Sequence, residues 1–239
     1  MTEHTDELEK RTKKIREQMG GKSRLEKMES EGKPNIRQHI DAILDEGTFQ
    51  EIGTFSRSLR EEDRETTPGD GKIGGEGEID GRPVAIAGDD ITVKRGSSSI
   101  VGSRKTSRLY ERALKMGFPY VYFGETGGGR IPDLIGAEGI SDAMPSPDIA
   151  RRRRLIPMAS VIVGQSFGGS SFHSAFSDFT VQVRGSVLAV TSPRVFEIAT
   201  GEIVSFEELG GVDVHAKTTG QIDLGVDSYE DAYKAVKQW

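Results

Sequence analysis

The chain has 239 residues, no cysteine and a formal net charge of -6, with 34% hydrophobic and 29% charged residues. That length suffices for one large domain or two small ones with a sizeable core. Without cysteine there is no disulfide, thiolate zinc site or cysteine nucleophile. The net charge gives no general attraction to nucleic acid.

Residues 1 to 32 carry dense mixed charge and few apolar positions, which predicts an exposed helical extension broken at Gly20-Gly21. No run of about 18 apolar residues occurs and the first residues are highly charged, so neither a membrane span nor a secretory signal is expected, and the cytoplasm is the default compartment. Asn35 and Gln38 have the spacing of a capping box, and Ile36, Ile40, Ile43 and Leu44 form the apolar stripe of a helix over residues 36 to 46, stopped at Gly47. Residues 57 to 71 are polar and turn-rich and read as a mobile surface loop. Alternation from Lys72, the Asp80-Gly81 pair and the apolar return at Pro83 to Ala87 predict a β-hairpin. Leu109, Ala113, Leu114 and Met116 then outline a helix ending at Gly117.

Two stretches beyond this point share one design. Tyr120 to Phe123 is a short apolar strand leading into Gly124-Glu125-Thr126-Gly127-Gly128-Gly129-Arg130, and Met158 to Val163 is another, leading into Gly164 to Gly169 and then small residues that can open a helix. Glycines at a strand-to-helix junction leave backbone N–H groups bare at the positive end of a helix dipole. Two such turns converging on one carbonyl oxygen would make an oxyanion hole; the plainer alternative is that the glycines only make turns. Residues 180 to 183 and 187 to 190 follow as short strands, then a helix near 193 to 198 and a last helix capped by Ser228. Strands separated by helices indicate an α/β layout.

Motif spacing narrows the chemistry further. Gly96 to Thr106 fails as a phosphate loop, because Gly102 falls one position late and Ser103-Arg104 precedes Lys105-Thr106. No G-x-G-x-x-G follows a strand. Gly164-Gln165-Ser166-Phe167-Gly168 does match G-x-S-x-G, with Asp213 and His215 later in the chain, which raises a serine hydrolase using Ser166 as a rival reading. His173 reads equally as a capping or a catalytic histidine. The run Arg151 to Arg154 is either a solvated face or a set of phosphate contacts.

Taken together, Gly32-Lys33 with 40 to 49, 79 to 84, Thr126 to Ile131, Gly164 to Asp178, Val190 to Pro193, Thr200-Gly201-Glu202 and Phe206 to Gly211 resemble, in order, the markers of the biotin-dependent acyl-CoA carboxyltransferases. The resemblance runs from about residue 32 to 239. It implies a crotonase-like α/β fold over residues 33 to 239, a spiral of β-β-α units behind the helical extension of residues 1 to 32. It further implies transfer of a carboxyl group between biotin, borne by a partner carrier protein, and the α-carbon of an acyl-CoA thioester, with a malonate-decarboxylase-type subunit as the alternative. On that basis Gly128, Gly129, Gly168 and Gly169 would form the oxyanion hole, while Arg130, Arg151, Arg154 and Phe167 would bind substrate; no metal is implied. The family's second crotonase-like half is expected either on a separate subunit, as in malonate decarboxylases, or in the remainder of a longer chain, giving a hetero-oligomer with the biotin carboxyl carrier protein. The chain departs from the family pattern at Gly129, where alanine is usual, and at Gln165-Ser166, where Pro-Cys is common. It also lacks the cysteine zinc ribbon of the bacterial acetyl-CoA carboxylase subunit of this kind.

Overall fold

The computed structural model describes residues 3–143 and 155–239. Helices α1 (Glu3–Gln18) and α2 (Lys22–Ser30) are separated at Met19 to Gly21, where the glycine pair was expected to break the helix. Helix α3 (Ile36–Ile43) opens with the predicted capping box, Asn35 accepting from Gln38 N and Gln38 accepting from Asn35 N. Strand β1 (Gln50–Glu51) starts the sheet, and β2 (Lys72–Ile79) and β3 (Arg82–Asp89) form the expected hairpin. Its two-residue turn places Asp80 at φ 51° and Gly81 at φ 71°, the left-handed pair that the Asp-Gly dipeptide favours. Helix α4 (Ile100–Met116) is capped at its start by Ser99 and ends at Gly117 in the left-handed conformation.

Strands β4 (Tyr120–Thr126), β5 (Met158–Phe167), β6 (Phe179–Val183), β7 (Val187–Ala189) and β8 (Leu224–Val226) complete a sheet of order β1-β2-β3-β4-β5-β6-β8, with β7 paired to β5. The β1-β2 and β2-β3 pairs are antiparallel and all later pairs parallel. Strand β5 pairs with β6 through Ala159 to Ile162 and with β7 through Gln165 to Phe167, so its two halves have different neighbours on one side. On the other side its register with β4 shifts between Gly124 and Thr126. The sheet is thus bent at the level where the two glycine turns leave it.

Side chains alternate across the sheet as period-two geometry requires. Val84, Ile86, Val121, Phe123, Val161 and Val181 face α3 and the last helix, α11 (Tyr229–Gln238), while Ala85, Ala87, Tyr120, Tyr122 and Met158 face α4. Both faces are covered by helices, those described between α4 and α11 being α5 (Ile131–Leu134), α6 (Ala137–Ala143), α7 (Gly169–Phe176), α8 (Pro193–Thr200), α9 (Phe206–Gly210) and α10 (Val212–Val214). Together with the sheet order, this is the crotonase-like α/β architecture that the resemblance implied.

Three expectations change. Residues 57 to 71 are a surface loop only in part: Glu61, Glu62, Arg64, Glu65 and Thr66 are exposed, but the segment includes 3-10 turns at Glu61–Thr66 and Pro68–Gly71, and Thr67 and Asp70 are fully buried. Asp70 lies inside because Ser99, Gly102 N–H and Arg130 all donate to its carboxylate. The turn expected at Gly164 starts only at Gly168, since β5 runs on to Phe167 by pairing with β7. The break between α1 and α2 is also no idle hinge. Gly20 lies so close to the sheet that a Cβ there would sit 1.9 Å from the Thr92 carbonyl oxygen. Its N–H donates to Thr92 Oγ1 at 2.9 Å, and Arg24 donates to the Thr92 carbonyl.

Candidate active site

The two glycine turns leave the carboxyl ends of β4 and β5, which are neighbouring parallel strands; ligands of α/β sheets collect at such ends. After Thr126 the first turn carries Gly128 at φ 104°, a conformation a side chain would strain. After Phe167 the second carries Gly168 at φ 62° and ψ -118°, followed by the helix α7 (Gly169–Phe176). The turns abut. A Cβ at Gly168 would lie 3.8 Å from Gly128 Cα, and one at Gly169 would lie 3.3 Å from Ser98 Oγ. Ser98 is itself bridged to Gly129, its N–H donating to the Gly128 carbonyl at 2.9 Å and its carbonyl accepting from Arg130 N–H at 2.8 Å.

Hydrogen-bond accounting separates the four glycines. Gly128 N–H donates to Thr126 Oγ1 at 3.1 Å, and Gly168 N–H donates to the Val190 carbonyl at 3.1 Å. Both are already satisfied. Among the described residues, no acceptor takes the N–H of Gly129 or of Gly169. The Gly169 amide opens helix α7, where no preceding turn supplies a carbonyl and the helix dipole is positive. Gly127 and Gly129 are exposed and Gly169 is half-buried, so neither open amide belongs to a residue sealed in the core. The missing Cβ at Gly129 also has a local reason: it would fall 2.6 Å from Leu134 Cδ1.

Beneath the first turn lies a buried polar network. Arg130, with 5% of its side chain exposed, donates to Asp70 at 2.6 Å and has Asp133 at 3.8 Å. Thr126 Oγ1 and Lys72 Nζ both donate to the Gly96 carbonyl, at 2.8 and 3.0 Å, and Lys72 is ion-paired with Asp89. Asp89 also accepts from Tyr122 Oη at 2.8 Å and from Glu125 N–H at 3.1 Å. Glu125 lies opposite Gly164, whose Cβ would strike the carboxylate at 2.2 Å; burial, reinforced by the charge of Asp89, pushes its carboxyl up to about 7. His173 stacks on Tyr122 with ring centroids 4.3 Å apart, and burial lowers it to about 4. It is a neutral wall of the core and touches no solvent-facing chemistry.

The expected substrate residues fare differently. Arg130 is largely buried, its guanidinium paired with Asp70 so that it braces the turn, and it also lines the hollow of Gly127 and Gly129. Phe167 is also buried, its ring 6.3 Å from that of Phe206. Arg151 and Arg154 lie outside the described residues. Ser166 overturns the hydrolase reading: it sits within β5, fully buried, with its Oγ 2.7 Å from Ser170 Oγ. His215 is held between the Leu188 carbonyl at 2.7 Å and Thr219 Oγ1 at 2.9 Å, and Asp213 pairs with Lys217 at 3.1 Å, so neither forms a relay to Ser166. Sequence reasoning missed Ser98, Asp70 and Thr126, which join and brace the turns; only Thr126 stood in a run already suspect.

Beside α7 opens a cavity of about 430 Å3, lined by Phe172, Leu188, Val190, Thr191, Phe196 and His215 among others and mostly apolar. Val190, whose carbonyl fixes Gly168, is on its wall. Gly129 instead lines a polar hollow with Ser97, Gly127 and Arg130, so the link from the turns to the apolar cavity runs through Gly168 and Val190.

Residues 27–239 match the carboxyl transferase domain family. The chain belongs to that family. It is 34% identical to the carboxyltransferase subunit of propionyl-CoA carboxylase from Haloferax mediterranei over 246 aligned positions, 99% of this chain and 46% of that protein. The transcarboxylase 12S crystal structure with methylmalonyl-CoA and methylmalonic acid bound superimposes with a TM-score of 0.89 at 30% identity, covering 100% of this chain and 47% of that one. A Pseudomonas malonate decarboxylase hetero-tetramer shares the fold at a TM-score of 0.75 and 24% identity, covering 86% of this chain and 81% of that one. The carboxyl transferase domain described here thus spans about half the length of the curated relatives it matches. Among the described residues no helix is long and apolar enough to cross a membrane.

Proposed function

We propose that this carboxyl transferase domain is the acyl-thioester-binding part of a biotin-dependent acyl-CoA carboxyltransferase. Residues 33 to 239 would be its catalytic unit, and 1 to 32 a charged extension latched to it at Thr92. The observation that carries the reading is the meeting of the two glycine turns, with the Gly129 and Gly169 amides left open, Gly129 on the wall of a polar hollow and Gly168 tied through the Val190 carbonyl to an apolar cavity.

Proton loss from the α-carbon of a thioester puts negative charge on its carbonyl oxygen. The Gly129 and Gly169 amides would hold that oxygen, and a donor of this kind contributes about 10²–10³ in rate, because a fixed amide need not reorganise as charge develops. The apolar cavity beside α7 seats a short acyl chain, in keeping with relatives that are named for propionyl-CoA and methylmalonyl-CoA. Biotin, carried by a partner protein, supplies the activated carboxyl group when it is docked. The exposed edge at Gly127 and Gly129 fits its approach from outside, since a carrier-borne group needs an open route to the thioester. The base for the α-proton comes from that side as well; the nearby histidines of this chain, His173 and His215, are locked in the core or between fixed partners. A second carboxyltransferase subunit and a biotin carboxyl carrier protein are accordingly the partners of a cytoplasmic hetero-oligomer.

The test is co-purification from the native lysate followed by carboxyl transfer to propionyl-CoA. A biotinylated protein in the complex, with activity lost in Gly169→Val, is the expected result. A chain that captures no biotinylated protein and binds no acyl-CoA would overturn the reading.

A further inference from the structure

The segment between β3 and α4 carries an uncommon backbone. Lys94, Arg95 and Gly96 are three consecutive residues in the left-handed region, at φ 47°, 60° and 62°, and two of them bear side chains. A left-handed residue with a Cβ costs free energy unless its surroundings impose the conformation. Here contacts on several sides impose it. From the N-terminal helices, Gly20 N–H and Arg24 donate to Thr92 Oγ1 and to the Thr92 carbonyl. Lys94 Nζ pairs with Asp63 at 2.8 Å, and the Gly96 carbonyl accepts from Thr126 Oγ1 at 2.8 Å and from Lys72 Nζ at 3.0 Å.

The bend delivers Arg95 to the glycine turns in two directions. Its carbonyl accepts from Gly127 N–H at 2.9 Å, which ties down the first turn two residues before the open Gly129 amide. Its side chain lies over the same turn: a Cβ on Gly127 would fall 3.3 Å from both Arg95 Cβ and Arg95 Nε. Beyond Gly127 the guanidinium reaches strand β5 and donates to Gln165 Oε1 at 3.3 Å, four residues before Gly169. Main chain and side chain of one residue thus hold the first turn and the strand that carries the second. The open amides of Gly129 and Gly169 follow different strands, so their separation depends on contacts that cross from one turn to the other, and Arg95 makes one. Gln165 is among the residues at which the chain departs from the family pattern, so the bridge is a feature of this chain.

We propose that Arg95 is a positioning residue that holds the two glycine turns at the separation one thioester oxygen needs. For its effect on rate the inference rests on the carboxyltransferase reading; the bridge itself does not. Both amides must stand about 2.7–3.1 Å from the oxygen as its charge develops, so turns free to drift slow the reaction while binding of the acyl-CoA in its ground state changes little.

The experiment compares the wild type with Arg95→Gly, Gln165→Leu and the double variant. Glycine keeps the carbonyl that Gly127 uses and relaxes the left-handed backbone, so the thermal midpoint of Arg95→Gly should not fall; Gln165→Leu leaves the bend untouched. Hydrogen exchange over residues 126 to 130 of the chain is expected to be about tenfold faster in each single variant, although Gln165 belongs to the other strand. In the assembled complex, kcat for carboxyl transfer to propionyl-CoA should fall about tenfold in each single variant and no further in the double, with KM within about twofold of the wild type. First-turn exchange equal to wild type in both single variants would overturn the proposal, and so would a raised KM with unchanged kcat in Arg95→Gly, which would make Arg95 a contact to substrate. A wild-type complex that transfers no carboxyl group would remove the carboxyltransferase reading, and the exchange result would still decide the bridge.

Discussion

The two glycine turns present the same open amide by opposite means. Gly169 is fixed by regular structure: β5 delivers it, helix α7 begins at it, and the Val190 carbonyl secures the residue before it. Gly129 lies on irregular backbone held by side chains, with Arg130 anchored to Asp70, Thr126 hydrogen-bonded back to Gly96 and Ser98 bridged alongside. Regular backbone carries its own hydrogen bonds, so its weak point is steric. An irregular loop borrows its order from buried polar groups, so its weak point is electrostatic.

Distinct perturbations should therefore break the two turns. The largest effect is expected at Gly168, whose φ 62° and ψ -118° suit glycine alone: Gly168→Val should lower kcat for carboxyl transfer by about 10²–10³ in the assembled complex, with smaller loss of stability. Unchanged kcat would mean that the second turn takes no part in the chemistry. Asp70→Asn attacks the other turn by stranding the buried Arg130 charge, and urea unfolding should report about 3–5 kcal/mol of lost stability. Arg130→Gln added to Asp70→Asn should restore part of that loss, because the buried guanidinium is then gone and only Asp133, whose carboxyl burial already pushes towards the protonated form, is left beside the turn. If the double variant is no more stable than Asp70→Asn, the pair does not act as a strut.

Next in size are the pH effects. His39 and His173 have ordinary values of 6.5 that burial lowers to about 4, so the folded chain holds them neutral while the unfolded chain protonates. Their contribution is complete above pH 6.5 and is lost as pH falls towards 4, by up to about 3 kcal/mol each. Glu125 acts with the opposite sign. Its ordinary value of 4.5 rises to about 7, so the folded state favours the protonated acid and stability declines as pH climbs from 4.5 to 7. Glu125→Gln should remove that decline; denaturation midpoints measured from pH 4 to 8 would reveal an unchanged slope if the carboxyl does not titrate in this range. The smallest effect belongs to Ser166→Ala, which removes one buried hydroxyl contact with Ser170 and should cost about 1 kcal/mol with carboxyl transfer preserved. Complete loss of activity there would reopen a role for the hydroxyl.

Much of this was legible in the residues themselves. Asn35 with Gln38 fixed a helix start, Asp80-Gly81 a hairpin, Gly117 a helix end and Ser228 a helix cap, because each is a local hydrogen-bond or φ requirement with a short signature. The paired strand–glycine runs likewise announced two backbone-rich turns. Which amides remained free was not legible, since Gly168 and Gly128 lose theirs to Val190 and Thr126, one of which is distant in the chain. Nor was the inward fate of Arg130 or Ser166, whose neighbours Asp70 and Ser170 count only once strands have paired and bent.

By itself, then, the sequence determined the helix caps, the hairpin and the glycines, along with the family resemblance, because all of these are written in short-range stereochemistry or in ordered markers. Only the tertiary structure decided that the end of the 57 to 71 segment turns inward at Thr67 and Asp70, that β5 outlasts Gly164 by pairing with β7, and that Gly129 and Gly169 keep the open amides. Burial and hydrogen-bond satisfaction depend on which distant groups arrive at the same place, and no local signature encodes that meeting.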